Sequence, residues 1–411
     1  MPRRSIVIVG AGHAGVQAAA SLREEGCADA IVLLSGEAEL PYQRPPLSKA
    51  FLKGAMDLAG LPLRAEQFYR DHEIDLRLGV QALRIDLGAK RVELSSGGAA
   101  PFDHLILATG ARPRPLDIPG VDLGGVLGLR NIVDAQAIRE RLAPGRRVVV
   151  IGAGFIGLEI AATALALGGE VTIVEIADRP LGRAVSPLTS AFFLEAHEAF
   201  GAKFRFGVGV AAIKGSSGQV EEVTLSSGER LGADVVIVGV GVFAKDRLAR
   251  EAGLACANGV VVDEWLVASD PAVSAIGDCA QFPHPSLGIS LRLESVQNAA
   301  DQARCVARRL VDKAERYAAT PWFWSDQGDL KLQMAGLSHG VDRWVLRGDP
   351  QSRAFAVFGF RGPTLAVVET VNRGAEHMAA RRIIGGALPL TPEQAGDPQF
   401  DLRKLALSAK A

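Results

Sequence analysis

Near its N-terminus the chain passes from an apolar run through three glycines into an alanine-rich segment. In SIVIVGAGHAGVQAAASLREEG, the β-branched residues predict a buried strand and the alanines predict a helix. Gly10 suits a tight turn between them, Gly12 lets a pyrophosphate approach the backbone, and Gly15 lets the helix pack on the strand. His13 and Ala14 begin the helix, whose free N–H groups favour an anion. The pattern predicts a dinucleotide site in which His13 is a spacer rather than an acid–base group.

The same order of apolar run, glycines and alanines returns in the middle of the chain. The stretch RRVVVIGAGFIGLEIAATALALGG again predicts a strand, a glycine turn and a helix. Gly152, Gly154 and Gly157 occupy the three positions of the pattern, and Phe155 and Ile156 lie within it. Two such turns in one chain predict two dinucleotides, for which FAD and NADH are the usual pair.

An acidic residue stands near the end of the strand that follows each glycine turn. Glu175 closes EVTIVE, 23 positions after Gly152, close to the roughly 20 expected for an acid that binds an adenosine ribose. Its carboxylate would accept hydrogen bonds from both ribose hydroxyls and would repel a 2′-phosphate, which favours NADH over NADPH. The alternative is a surface glutamate that only ends a strand. In the first motif the acid comes one position later, at Glu37 after Gly36, and is the candidate for the FAD ribose.

Three further apolar runs end in small residues that can lie close to a cofactor. The residues that end FDHLILATG, ADVVIVGVGV and PAVSAIGD are Ala108, Thr109, Gly110, Gly239, Gly241, Gly277 and Asp278. A buried aspartate at the end of the last run would bind the ribityl hydroxyls of a flavin. The alternative is an ordinary turn or N-cap aspartate.

A helix is predicted to begin near Val296, in LRLESVQNAADQARCVARRL. Glu294 and Ser295 precede it and are candidate cofactor contacts together with Val296. The first N–H groups of this helix would face the pyrimidine edge of the flavin, which is anionic when reduced. An ordinary amphipathic helix is the alternative, and the two interpretations are compatible.

Composition narrows the remaining classes of function. The chain has 411 residues, of which 48% are hydrophobic and 22% charged, and its formal net charge is −1. This balance gives no bulk attraction to nucleic acid or to an anionic membrane, and no apolar stretch reaches the roughly 20 residues that span a bilayer. The N-terminal arginines and apolar run resemble a secretory signal, but the glycine pattern interrupts them. We therefore expect a cytoplasmic protein without nucleic-acid or membrane partners.

The cysteines are too far apart in sequence to form a CxxC or CxxxxC pair. They stand at Cys27, Cys256, Cys279 and Cys305. Their spacing predicts buried thiols in a reducing compartment, and no metal or iron–sulfur site. A disulfide reductase is disfavoured because it needs redox cysteines next to its flavin.

The proline-rich segment GEAELPYQRPPLSKAFL has neither a helical nor a strand period. Its Pro-Pro pair fixes φ and restricts the residue before each proline, so Arg44 and Lys49 flank a stiff backbone. A stiff backbone suits basic side chains that must keep one position.

Six segments together resemble the bacterial FAD-dependent, NADH-using ferredoxin reductases of the putidaredoxin reductase and ring-hydroxylating dioxygenase type. In chain order they are PYQRPPLSKAFL, LATGARPRP, VVVIGAGFIGLEIAATA, AIGDCAQF, LESVQNAADQA and PWFWSDQ. The resemblance covers essentially the whole chain and implies an α/β fold: two Rossmann-like dinucleotide-binding domains, as in glutathione reductase, and a C-terminal α+β domain. The FAD domain would comprise residues 1–112 and 245–315, the NAD domain residues 113–244, and the C-terminal domain residues 316–411.

The resemblance also implies roles for individual residues. Lys49 would lie beside the flavin ring, paired with Glu159 of GFIGLE, and Arg44 would line the flavin pocket. These groups would position and tune the cofactor, because hydride transfer needs closely stacked rings and no side-chain acid. An exposed loop lysine is the alternative. Further cofactor contacts would be Ala82, Arg130, Trp322 and Trp324.

By resemblance, the chain would take a hydride from NADH onto FAD and pass single electrons to a [2Fe–2S] ferredoxin. That ferredoxin would supply a cytochrome P450 or a Rieske-type oxygenase. Rubredoxin, monodehydroascorbate and oxygen are alternative acceptors, and an NADH-sensing binding protein like apoptosis-inducing factor is an alternative of another class. An acidic ferredoxin would need a basic surface, for which Arg64, Arg304 and Arg308 are candidates. The oligomeric state is left open.

Overall fold

The computed structural model describes residues 4–285 and 287–408. Its strands are β1 (Ser5–Val9), β2 (Ala30–Leu34), β3 (Ile74–Arg77), β4 (Ala82–Asp86), β5 (Arg91–Leu94), β6 (Ala99–Pro101), β7 (His104–Leu107), β8 (Ala111–Pro113), β9 (Val126–Gly128), β10 (Arg147–Ile151), β11 (Glu170–Glu175), β12 (Lys203–Phe206), β13 (Val210–Ser216), β14 (Gln219–Leu225), β15 (Arg230–Gly232), β16 (Val235–Val238), β17 (Val242–Ala244), β18 (Cys256–Ala257), β19 (Gly259–Val261), β20 (Val273–Ala275), β21 (Ala280–Pro283), β22 (Ser290–Leu291), β23 (Trp322–Gln327), β24 (Leu330–Gly336), β25 (Arg343–Asp349), β26 (Ala354–Arg361) and β27 (Thr364–Val371). Its helices are α1 (His13–Glu24), α2 (Glu66–Asp71), α3 (Ile132–Arg139), α4 (Phe155–Ala166), α5 (Pro187–Ala199), α6 (Arg247–Glu251), α7 (Val296–Leu310), α8 (Gly374–Gly385), α9 (Pro392–Gly396) and α10 (Leu402–Leu407). Among the described residues, no helix combines the length and the apolar character needed to cross a bilayer.

The chain folds into two compact units, each assembled from separate parts of the sequence. Unit 1 comprises Met1–Gln43, Leu58–Arg112 and Val242–Ala319, and unit 2 comprises Arg44–Asp57, Pro113–Gly241 and Thr320–Ala411. The predicted α/β class with two dinucleotide-binding sheets is confirmed. The three domain boundaries stay a prediction. The short segment Arg44–Asp57, which the sequence placed in the FAD domain, groups with unit 2.

Unit 1 is organised around a five-stranded parallel sheet with the order β20-β7-β1-β2-β3. Four of the five side chains of β1 are buried, as expected for a β-branched strand covered on both faces of a parallel sheet. Helices α1 and α7 pack against each other, and Ile8, Leu33 and Leu105 are fully buried in the core of the unit. Smaller sheets of β4-β5-β6 and β18-β19-β21-β22 belong to the same unit.

Unit 2 contains a second five-stranded parallel sheet, with the order β12-β11-β10-β16-β9. The C-terminal residues add an antiparallel sheet, β23-β24-β27-β26-β25, which packs against α8. Val150 of the parallel sheet, Phe193 of α5 and Phe355 of β26 belong to one apolar cluster. The C-terminal sheet therefore shares its core with the second parallel sheet.

Both parallel sheets collect loops at one edge, because parallel strands all end on the same side. In unit 1 the loops after β1, β2, β7 and β20 meet there, and in unit 2 the loops after β9, β10, β11 and β16 do. Ligands of open α/β sheets bind at this carboxyl edge. Each unit thus offers one candidate site.

Candidate dinucleotide sites and a buried ion pair

The first glycine turn, between β1 and α1, leaves no room for side chains at two of its glycines. Gly10 has a φ of +107°, and a Cβ there would lie 2.3 Å from the carbonyl oxygen of Ala108. A Cβ at Gly15 would lie 1.9 Å from the carbonyl oxygen of Gly10. The Gly10 N–H donates to the Leu34 carbonyl at 3.0 Å. The tight turn and close helix packing predicted from the sequence are present.

Gly12 differs from the other two glycines because space lies in front of it. Apart from Gly12 itself and its two neighbours in the chain, no described residue has an atom within 4 Å of a Cβ built there. Gly12 caps α1 in an extended conformation and has no side chain that can bond the first helical N–H groups. His13 and Ala14 follow as the first helical residues. An open backbone face at a helix N-terminus fits the pyrophosphate of a dinucleotide.

The loops after β7 and β20 reach the same edge of unit 1. They carry the predicted contacts Ala108, Thr109, Gly110, Gly277 and Asp278. Gly277 has a φ of +75°, and a Cβ there would lie 3.0 Å from the Cβ of Ala14 and 3.7 Å from that of Ala299. The loop after β20 therefore lies against the starts of both α1 and α7. Asp278 is half-buried, not buried as the sequence suggested.

Glu37 follows β2 at this edge, and the hydroxyl of Tyr42 donates a hydrogen bond to its Oε2. A Cβ at Gly36 would lie 3.2 Å from Cγ of Gln81, and Ala82 begins β4 directly after Gln81. Tyr42 was not a candidate from the sequence, because the proline-rich segment has no period that orients its side chains. The ribose contact of Glu37 and the cofactor contact of Ala82 stay predictions.

Helix α7 begins at Val296, as predicted. The Oγ of Ser295 accepts a hydrogen bond from the Asn298 N–H at 3.0 Å and caps the helix. Glu294 is ion-paired with Arg292 at 2.7 Å. This cap satisfies only one of the N–H groups that lack a partner within the helix. The other N–H groups of the first turn can still bind an anion.

The second glycine turn, between β10 and α4, repeats the contacts of the first. Gly152 has a φ of +103°, and a Cβ there would lie 2.5 Å from the carbonyl oxygen of Gly239. A Cβ at Gly157 would lie 2.2 Å from the carbonyl oxygen of Gly152. At Gly154, as at Gly12, no described residue other than the glycine and its two chain neighbours has an atom within 4 Å of the Cβ position, and there is no side-chain cap. Both units therefore carry the same arrangement of a glycine turn and an open helix N-terminus, here called a glycine cradle.

Glu175 ends β11, and backbone N–H groups hold both oxygens of its carboxylate. The Ala153 N–H donates to Oε2 and the Ala177 N–H donates to Oε1, each at 2.8 Å. Because Ala153 lies inside the glycine turn, the acid is fixed beside it. The neighbouring Ile176 is 78% exposed, and Ile156, a predicted contact, is 43% exposed. Ile176, which the sequence analysis did not name, is thus an exposed apolar residue directly after the fixed acid.

Arg44 and Arg130, two predicted cofactor contacts, lie together in unit 2. The Nη1 of Arg44 donates to the Arg130 carbonyl at 2.5 Å, and the Arg130 N–H donates to Oδ2 of Asp134 at 2.8 Å. Arg130 follows β9 and Gly239 follows β16, so both lie at the carboxyl edge of the sheet. Gly241, with a φ of +97°, turns the chain beyond that edge.

Lys49 and Glu159 form the ion pair that the resemblance implies. Nζ of Lys49 lies 2.7 Å from Oε2 of Glu159, and the two side chains are 19% and 5% exposed. The hydroxyl of Ser48 donates to Oε2 at 2.5 Å, and that of Ser325 donates to Oε1 at 2.6 Å. A carboxylate with three donors meets the condition for burying a charge, which is costly when unpaired. Neither serine was a candidate from the sequence.

The chain matches known families over nearly its full length. Residues 4–303 match the family described as pyridine nucleotide-disulphide oxidoreductase, and residues 322–406 match the one described as reductase C-terminal. The chain belongs to the pyridine nucleotide-disulphide oxidoreductase family. It is 49% identical to rhodocoxin reductase of Rhodococcus erythropolis, over 98% of this chain and 94% of that protein.

Two solved structures match this oxidoreductase with a TM-score of 0.96. The ferredoxin reductase for the CYP199A2 system from Rhodopseudomonas palustris is 47% identical, covering 98% of this chain and 100% of that one. Putidaredoxin reductase, in its covalent complex with putidaredoxin, is 40% identical, covering 99% of both chains. The resemblance found in the sequence is confirmed, and the chain is an oxidoreductase with FAD and a pyridine nucleotide as its cofactors.

The cysteines of this oxidoreductase are not arranged for disulfide chemistry, although the family name includes it. All four are free, and Cys27 and Cys279 are buried. Burial raises the pKa of Cys279 and raises that of Cys305 to about 11. A thiol with a raised pKa is a poor source of the reactive thiolate. The segment around Lys49, where the family's disulfide chemistry would need cysteines, carries none.

The strand β23 separates two sets of aromatic side chains. Phe323 contacts the ring of Phe155 at the start of α4, with ring centroids 4.5 Å apart. Trp322 and Trp324 alternate with it along the strand, and their ring centroids are 5.6 Å apart. The guanidinium of Arg381 lies 4.5 Å from the ring centroid of Trp322. The cofactor contacts expected of the two tryptophans stay predictions.

Two of the three arginines considered for a docking surface already have acidic partners in unit 1. Arg304 is ion-paired with Asp301 at 2.8 Å. Arg308 is ion-paired with Glu25 at 3.3 Å and with Glu315 at 3.2 Å. These acids offset the positive charge, so the helix face offers a weaker field to an acidic partner than the sequence suggested.

Proposed function

We propose that this protein is an NADH-dependent ferredoxin reductase that supplies an oxygenase of the cytochrome P450 or Rieske type. Bound FAD accepts a hydride from NADH and releases single electrons to a [2Fe–2S] ferredoxin. One observation carries the proposal: two equivalent glycine cradles stand in a chain whose full length matches a reductase crystallised in covalent complex with putidaredoxin. A cytoplasmic location, where NADH is available and thiols stay reduced, belongs to the same proposal.

We assign FAD to the cradle of unit 1 and NADH to that of unit 2. In unit 1 the loop after β20 brings Gly277 against Ala14 and Ala299, so two helix N-termini flank the carboxyl edge. Two helix ends suit a cofactor that carries a pyrophosphate and a ring that becomes anionic on reduction. The cradle of unit 2 has Glu175 as its acid, at the spacing expected for the adenosine ribose of a nicotinamide dinucleotide.

The geometry of Glu175 supports NADH over NADPH. Both of its carboxylate oxygens accept backbone hydrogen bonds, so the group cannot turn away from a ligand at the carboxyl edge. Each oxygen keeps a second lone pair for a ribose hydroxyl. A 2′-phosphate would bring like charge against a fixed carboxylate, which is destabilising.

The ion pair of Lys49 and Glu159 is proposed to position the flavin. Among the described residues, Lys49 Nζ contacts Glu159 and the Pro45 carbonyl, the latter at 3.3 Å. An ammonium has three N–H donors, so one donor remains for an acceptor atom of a cofactor. The side chain is 19% exposed and Glu159 is 5% exposed. The carboxylate therefore anchors the ammonium from the buried side.

The test is electron transfer by the purified full-length protein. NADH should bleach its flavin in an anaerobic stopped-flow mixing experiment, and the reduced protein should then reduce a [2Fe–2S] ferredoxin of the same organism. Ferredoxin-linked turnover should fall with ionic strength more steeply than reduction of the flavin by NADH, because docking of an acidic ferredoxin is steered by charge. Faster reduction of rubredoxin than of every [2Fe–2S] ferredoxin from that organism would overturn the assignment.

A further inference from the structure

A chain of three buried side chains leads away from Glu159 within unit 2. Ser325 Oγ lies 2.6 Å from Glu159 Oε1, and Gln327 Nε2 lies 3.2 Å from Ser325 Oγ. His197 Nε2 lies 2.8 Å from Gln327 Oε1. Ser325, Gln327 and His197, here called the Ser325 chain, are all 0% exposed.

Three elements of unit 2 meet in this arrangement. Glu159 projects from α4 and His197 from α5, while Ser325 and Gln327 stand two positions apart on β23. Residues two apart on a strand point to the same face, so both polar side chains lie on one side of β23. The Ser325 chain therefore connects the carboxylate of Glu159 to the core between α5 and the C-terminal sheet.

The charge of Glu159 fixes the direction of every hydrogen bond in the Ser325 chain. An ionised carboxylate only accepts, so Ser325 must donate its one proton to Oε1. Ser325 can then only accept from Gln327, whose amide NH₂ must point at it. The Gln327 oxygen is left to accept from His197, which requires the proton on Nε2. In agreement, Nδ1 of His197 is buried and has no partner among the described residues.

This directed chain does not suit proton transfer, because the Gln327 amide neither gains nor loses protons readily. It suits orientation. Ser325 holds Oε1 from one side, while Lys49 and Ser48 hold Oε2 from the other. Because its two oxygens are held by different donors, the carboxylate plane of Glu159 has one stable orientation. The ammonium of Lys49 is therefore held in one position.

We propose that Ser325, itself oriented by Gln327 and His197, is a positioning residue for hydride transfer. It acts through Glu159 on Lys49, and the proposal rests on the role given above to that ion pair. The Ser325 chain buries polar groups that the fold alone does not need, since apolar side chains of similar shape can be as stabilising.

The kinetic test compares Ser325→Ala with Ser190→Ala in the full-length FAD-loaded protein. Ser190 is a matched control in the same unit: it is 0% exposed, and its hydroxyl donates to the Pro180 carbonyl at 2.6 Å, outside the Ser325 chain. Ser325→Ala should lower the limiting rate of flavin reduction by NADH about tenfold, the low end for losing a hydrogen bond to a charged group. The dissociation constant of NADH should stay near its wild-type value, and Ser325→Thr should restore most of the rate.

A second background separates positioning from a purely structural role. In a Glu159→Gln protein, Ser325→Ala should cause no further slowing, because Ser325 acts through the missing carboxylate. Equal effects of Ser325→Ala in both backgrounds, or a rate equal to that of Ser190→Ala, would overturn the positioning role.

The direction of the hydrogen bonds is tested without NADH, by NMR of ¹⁵N-histidine-labelled protein. His197 should be neutral with its proton on Nε2, and Ser325→Ala should produce a mixture of the two neutral forms. If His197 of the wild-type protein carried its proton on Nδ1, the proposed hydrogen-bond directions in the Ser325 chain would be wrong, whatever the kinetics show. Conversely, if NADH failed to reduce the flavin of the wild-type protein, the proposed function would be overturned. The NMR experiment would still test the hydrogen-bond directions in the Ser325 chain, because it uses no NADH.

Discussion

The ammonium of Lys49 and the carboxylate of Glu159 lie 2.7 Å apart, although 110 positions separate them in the sequence. The lysine stands in a stiff proline-rich segment and the glutamate on α4, so their contact ties this segment to the second glycine cradle. An ion pair of this kind holds both partners still because each would be costly to bury alone.

Removing either member of the ion pair should cost both stability and rate. Lys49→Met should lower the free energy of unfolding by about 3 kcal/mol, because it leaves the Glu159 carboxylate buried without its counter-ion. Glu159→Gln should also slow flavin reduction by NADH. The double variant should lose less than the sum of the single variants, in urea unfolding and in stopped-flow reduction alike. Strict additivity would show that the two groups do not act together.

The two open glycines should separate the two cofactors. Gly12→Val and Gly154→Val each place a side chain in open space, so both proteins should fold. Gly12→Val should be purified without FAD, because the new side chain occupies the approach of the pyrophosphate. Gly154→Val should keep its FAD and lose reduction by NADH while remaining reducible by dithionite. Full FAD content in the Gly12→Val protein, measured by its absorbance spectrum, would show that the first cradle is misassigned.

Loss of the Glu175 carboxylate should relax the choice of nicotinamide. Glu175→Ala removes a fixed negative charge and releases the N–H groups of Ala153 and Ala177, which can then donate to a 2′-phosphate. The ratio of kcat/KM for NADPH to that for NADH should rise about 10- to 100-fold. Glu170→Ala, at the exposed start of the same strand, is the control and should leave the ratio unchanged. Wild-type protein that used both nucleotides equally would count against the assignment.

A second buried acid should make the stability of the protein depend on pH. Glu369 is 1% exposed and accepts hydrogen bonds from the backbone and hydroxyl of Ser186, at 2.7 and 2.6 Å. Burial nevertheless raises its pKa above the usual value of 4.5. The folded state therefore binds the proton more tightly than the unfolded state. The stability that proton binding by Glu369 gives to the folded state is complete below pH 4.5 and is lost as the pH rises through the folded pKa.

Glu369→Gln removes this titration and should change the pH profile of the thermal midpoint. The variant should gain stability relative to wild type at pH 8, and the gain should shrink toward pH 4. Glu170→Gln, at an exposed carboxylate at the start of β11, serves as the control. An equal shift at both pH values would show that Glu369 does not titrate on unfolding.

The sequence predicted those parts of the site that depend on local backbone geometry. The glycine turns at Gly10 and Gly152 and the start of α7 at Val296 follow from spacing alone, because each needs only a few neighbouring residues. Tyr42 and Ser325 were missed for the opposite reason. Tyr42 lies in a segment without a period, and Ser325 meets a carboxylate 166 positions away that no local pattern points to. Family resemblance supplied the pairing of Lys49, which local reasoning left open.

The division of the chain into interleaved pieces governs how it can be made and cut. The sheet of unit 1 lacks β20 until residues 273–275 have been synthesised, although β1 leaves the ribosome first. Until then the β7 edge of that sheet is unpaired, and an unpaired edge is where nascent chains misassociate. Since unit 1 extends to Ala319 and unit 2 begins at Arg44, no single break in the chain can release both units intact. A chimera joined to a related reductase at one crossover point will therefore always mix the two parents within at least one unit.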